Sequence, residues 1–84
     1  MIYIHTTRAK FENGKKLILS HGGIIAGNRL LGKECGTITL KMMMQKIVVD
    51  YTFEDDGGAS FRVVSLPFFL TDNQVAVYLK KILS

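Results

Sequence analysis

Residues 27 to 33 read Gly-Asn-Arg-Leu-Leu-Gly-Lys, the G-x-x-x-x-G-K spacing of a loop whose backbone amides cradle phosphates while its lysine reaches the outer ones. Glu34 follows where such a loop needs a Ser or Thr hydroxyl for the metal ion, and a carboxylate there repels phosphate. A chain of 84 residues also lacks room for the parallel α/β sheet in which that loop works, so the spacing is read as chance. His5, His21 and Cys35 are potential metal ligands, but none stands at the short spacing of a metal-binding pair, and all three are read as structural or solvated side chains. There is no Ser-His-Asp order, no carboxylate pair in an evident apolar pocket and no glycine-flanked nucleophile. Neither catalysis nor a cofactor or metal is expected.

The remaining chemistry is that of a surface. Through Lys46 the chain carries Arg8, Lys10, Lys15, Lys16, Arg29, Lys33, Lys41 and Lys46 against only Glu12 and Glu34. Beyond it, Arg62, Lys80 and Lys81 face Asp50, Glu54, Asp55, Asp56 and Asp72, so the net charge of +4 is concentrated in the first half. Such asymmetry suits an acidic partner, or else keeps exposed strands soluble. Met42, Met43 and Met44 add adaptable apolar side chains that, on a strand, point to both faces. The expected binding surface is therefore Arg8, Lys10, Lys15 and Lys16 together with Met43. The expected partner is another protein or a second copy of the chain, with single-stranded nucleic acid as the alternative. For nucleic acid, Tyr3 and Phe11 are the aromatic side chains in the basic half that would have to stack on bases.

Several elements must position these residues. Ile38, Leu40, Met42 and Met44 are apolar at even positions, whereas Ile47, Val49, Tyr51 and Phe53 are apolar at odd ones. Strand side chains alternate with period two, so the phase change near Met44 to Lys46 means either one long strand bent by a bulge or two strands joined by a very tight turn. Residues 47 to 66 form a hairpin. A three-residue loop, Asp56-Gly57-Gly58, sets Phe53 opposite Phe61, Tyr51 opposite Val63 and Thr52 opposite Arg62, with positive φ at Gly58. Asn13-Gly14 signals another tight hairpin, between strands at Tyr3 to Phe11 and Lys16 to Ser20, whose tip presents the basic cluster. Ile24 to Leu31 fits a strand or a short helix. After Pro67 the period changes. Thr71 and Gln74 make a capping box, Leu70 and Val75 a hydrophobic staple, and Val75, Tyr78, Leu79 and Ile82 one apolar stripe of a helix from Asp72 to about Leu83.

Together these give an α+β domain of about five antiparallel strands, forming a small barrel or strongly curved sheet with a C-terminal amphipathic helix. Hydrophobic content of 48% with 21% charged residues is globular composition. No apolar run is long enough to span a bilayer, the first residues lack signal-peptide order, and a single cysteine argues against a disulfide framework, so a cytoplasmic location is expected.

Overall fold

A computed structural model describes residues 2–30, 33–42, 44–54 and 57–83. Strand β1 (Ile2–His5) leads into helix α1 (Arg8–Ser20), followed by β2 (Ile24–Leu30), β3 (Lys33–Met42), β4 (Gln45–Glu54), β5 (Gly58–Ser65) and helix α2 (Asp72–Leu83). The strands form one sheet in the order β1-β5-β4-β3-β2, with every pairing antiparallel. The expected class is therefore correct, but the sheet is open: β1 and β2 are its edges, and it does not close into a barrel.

The region expected to be a hairpin at Asn13-Gly14 is instead the middle of α1. Thr7 caps the helix, its hydroxyl accepting from the Lys10 amide at 3.2 Å, and Arg8 pairs with Glu12 one turn later. Phe11, Gly14 and Ile18 form its buried stripe. Gly14 serves packing and not a turn, because a Cβ there would stand 2.5 Å from Leu83 Cδ2 of α2. A side chain at position 14 would force Leu83 to move and would meet the Ile82 carbonyl at 3.3 Å.

The phase change is resolved as two strands. β3 and β4 pair out to Met42 opposite Gln45, and Met44, just before β4, adopts a φ of 65°. Met43, expected to belong to the binding surface, lies outside the described residues. The segment from Ile24 is a strand, and the phosphate-loop spacing is thereby accounted for: Gly27 sits inside β2 opposite Gly36 of β3. Both glycines give way to Tyr51, since a Cβ on Gly36 would meet the Ala26 carbonyl at 2.4 Å and the Tyr51 ring at 2.9 Å. The ring of Tyr51 is buried across that gap.

The hairpin of β4 and β5 is present with a register two residues from the expected one: Tyr51 opposes Phe61, Phe53 opposes Ala59, Thr52 opposes Ser60 and Asp50 opposes Arg62. Asp56 lies outside the described residues; Glu54 pairs with Gly58, and it is Gly57, not Gly58, that takes positive φ, at 100°. Gly58 already belongs to β5. It pairs with both Glu54 and His5 and lies under the Tyr3 ring, which leaves no room for a side chain.

Ile38, Ile47, Val49, Tyr51, Phe53, Ala59 and Phe61 bury one face of the sheet, with Ile4 of β1, against Phe11 and Ile18 of α1 and Val75, Leu79 and Leu83 of α2. Helix α2 begins as expected, with the Gln74 carboxamide accepting from the Thr71 amide at 2.9 Å and the Thr71 hydroxyl accepting from the Gln74 amide at 3.3 Å. Its last turn is fixed by Thr6, whose buried hydroxyl donates to the Leu83 carbonyl at 2.7 Å. Among the described residues no helix lies on the other face of the sheet. No helix of the described residues is long and apolar enough to cross a membrane.

Candidate functional site

The expected basic cluster lies on α1 and is largely engaged with acids. The Arg8 guanidinium reaches Glu12 at 3.2 Å and Glu34 at 2.9 Å, and Lys15 reaches the same two carboxylates at 3.2 and 3.7 Å. Arg8 also lies 4.1 Å over the Phe53 ring, and Lys15 lies 5.1 Å from that of Phe11. The hydrogen bond to Glu34 raises the Arg8 pKa, and the bond from Lys15 leads those that lower the Glu12 carboxyl. These four side chains brace α1 against β3. Lys10 and Lys16 remain exposed on the helix. Of the two aromatic side chains expected beside them, Phe11 is 1% exposed and Tyr3, on β1, is 46% exposed.

The uncovered sheet face is polar at its centre. The Thr37 hydroxyl and the Arg62 guanidinium both donate to Asp50, each at 3.0 Å. The bond from Arg62 comes first among the causes that hold the Asp50 carboxyl below its ordinary value, followed by that from Thr37. A shallow trough lined by Cys35, Thr37, Thr52, Ser60 and Arg62 crosses this centre. It combines a hydroxyl-rich floor with one ion pair and holds no histidine. His5, His21 and Cys35 lie on β1, after α1 and on β3, and the described residues contain no group of three potential metal ligands. Cys35 is a half-buried free thiol.

Apolar exposure collects at one end of the sheet. Register places Ile24, Thr39, Val48 and Ser65 in a single row across β2, β3, β4 and β5. Ile24 is 65% exposed; Val64 is 54% exposed beside the register shift that brings Ser65 opposite Val48. Beyond the row stands the β3–β4 turn, where Met44 is 96% exposed and Lys41 opposes Lys46. From the same end emerges the connection to α2, in which Leu66 and Leu70 pack onto the core and Pro67 is buried, while Leu70 donates its amide to the Pro67 carbonyl at 3.1 Å. Between these anchors Phe68 projects, 96% exposed, edge-to-face with Phe69 at 5.7 Å. Phe68 was not among the expected binding residues. Its signal was the Leu-Pro-Phe-Phe-Leu run, four apolar side chains around one proline within a connection of only six residues.

No family model matches the chain, and neither a curated protein nor a solved structure is detectably similar to it.

Proposed function

We propose that the chain is a non-catalytic protein-interaction module that binds through the end of the sheet formed by Ile24, Met44, Val64 and Phe68, with Lys41 and Lys46 as its charged flank. The observation that carries this reading is Phe68, an aromatic side chain held outward at 96% exposure by a connection whose neighbours are anchored in the core. Burying a side chain of that size removes enough apolar area from water to be worth about 1.5–3 kcal/mol, a gain the isolated chain forgoes. Aromatic and methionine side chains at the centre with lysines at the rim form the composition of an interface. The partner surface that fits is apolar with acidic residues beside it.

This moves the contact away from Arg8, Lys10, Lys15 and Lys16. The nucleic-acid alternative draws less support, because Phe11 is buried and Arg8 and Lys15 already face carboxylates. A photo-reactive residue at position 68 tests the reading: a discrete protein adduct is expected, lost when Met44 and Val64 are changed to Asp. An adduct formed from position 16 and not from position 68 would return the contact to α1.

A further inference from the structure

We infer that the groove between α1 and the edge strand β2 is a binding site for a small organic acid, one carboxylate on a compact apolar body, held by the Tyr51 hydroxyl and the Lys16 ammonium. This inference stands apart from the protein-binding reading, which concerns the end of the sheet.

The groove measures about 470 Å³, a volume within the ~300–1,000 Å³ of small-ligand sites. Glu12, Lys15, Lys16 and Leu19 line one side of it, recurring at i, i+3, i+4 and i+7 as a single stripe of α1. Across from them, Ile25 and Gly27 of β2 lie opposite Ile38 and Gly36, which puts them on the helix-covered face of the sheet. Tyr51 opposes Gly36 on that same face, and its ring passes over this glycine and ends above Gly27, where a Cβ would stand 3.3 Å from the hydroxyl oxygen. All the lining groups thus share one side of the sheet.

The Tyr51 hydroxyl is the group that calls for a ligand. The residue is 3% exposed, yet among the described residues its hydroxyl has no hydrogen-bond partner, although a buried tyrosine O–H ordinarily finds one. With glycine at positions 27 and 36 it opens onto the groove. Burial, and after it the charge of Glu34, raises its pKa, so it stands there as a neutral donor.

The charge of the ligand follows from the ion pairs. Arg8 and Lys15 share Glu12 and Glu34, whereas Lys16 pairs with no carboxylate among the described residues. A carboxylate offers two acceptor oxygens, one for the phenol and one for the ammonium. A cation would meet like charge at Lys16, and the second charge of a phosphate monoester would be repelled by Glu12 and Glu34. Leu19, 54% exposed, and Ile25 supply the apolar wall for the rest of the molecule.

Amide NMR titrations of the intact chain with benzoate, and with benzyl alcohol as its neutral counterpart, test this. Benzoate is expected to bind one-to-one and to shift the amides of Leu19, Ile25 and Gly27. Lys16→Gln, an exposed change that leaves the fold alone, should weaken benzoate by roughly threefold and leave benzyl alcohol unchanged. Tyr51→Phe keeps the ring and removes the donor, and should weaken benzoate by roughly tenfold, with circular dichroism reporting that the variant is folded. Should it unfold, the Lys16→Gln comparison decides alone. Absence of benzoate binding, shifts confined to other parts of the chain, an unchanged benzoate affinity in Lys16→Gln, or undiminished binding in folded Tyr51→Phe would each overturn the inference.

Discussion

Asp50 is the most heavily bonded carboxylate of the uncovered sheet face, accepting from Arg62 and Thr37. Its folded pKa lies below the ordinary 3.8, so the pair stabilises the fold above the unfolded carboxyl's pKa, and that contribution is lost as pH falls through the lower, folded value. The side chains are well exposed, which limits the effect to about 0–1 kcal/mol. Urea titrations of the native chain and of Asp50→Asn should differ by that amount near neutral pH and converge as pH falls through the lowered folded value. A difference that persists in acid would mean that Asp50 acts through something other than its charge. Gly36 gives a larger effect at the same scale. A Cβ there meets backbone, not a flexible side-chain tip, so Gly36→Ala should cost about 1–3 kcal/mol, measured by the same titration. Tolerance of alanine there would show that β2 and β3 do not approach as closely as described. Gly57→Ala, forced to positive φ without a clash, should cost about 1–2 kcal/mol.

Among the elements, α2 was legible in the sequence because its signals agree: capping box, apolar stripe and lysines in the last turn all mark the same boundaries. Helix α1 was not, because Asn13-Gly14 is the strongest local hairpin signal and the apolar residues beside it are few. The contrary signals were Thr7 as a cap and Phe11 and Ile18 seven residues apart on one helical face. Gly14 acquires its meaning only from Leu83, far away in the chain, so its helical role is a tertiary fact. The β4–β5 hairpin shows a second limit. The buried face was read correctly, since Val49, Tyr51, Phe53, Phe61 and Val63 do share it, but a slip of two residues preserves the face. What decides the register is β1, whose Tyr3 claims the space over Gly58. For α2 the expected outcome is a contrast within one helix: Leu79→Ala should cost about 2–5 kcal/mol and Val77→Ala, on the exposed side, less than about 0.5 kcal/mol in equilibrium unfolding. Equal losses would mean that the helix packs through a different stripe.

Across the whole molecule, two helices cover one face of a five-stranded open sheet; Leu17, Leu19 and Val77 are exposed on the helices and Tyr3 on β1, while Ile24, Met44, Val64 and Phe68 gather at one end of the sheet. The basic half expected to form the contact is drawn partly inward by Glu12 and Glu34, a pairing invisible in sequence because Arg8 and Glu34 lie on different elements. The phase change near Met44 was legible, but it fitted a bulge as well as a tight turn; that Phe68 projects was not, since composition alone places Phe68 and Phe69 in the core as readily as on the surface. The claim that function resides at this end is tested most directly by in-cell photo-crosslinking from two positions, 68 at the sheet end and 16 on α1, with the adducts identified by mass spectrometry. A specific protein adduct is expected from position 68, displaced by excess unlabelled chain and abolished by Met44→Asp with Val64→Asp, and none from position 16. Adducts to protein or nucleic acid from position 16 alone, or none from position 68, would contradict it.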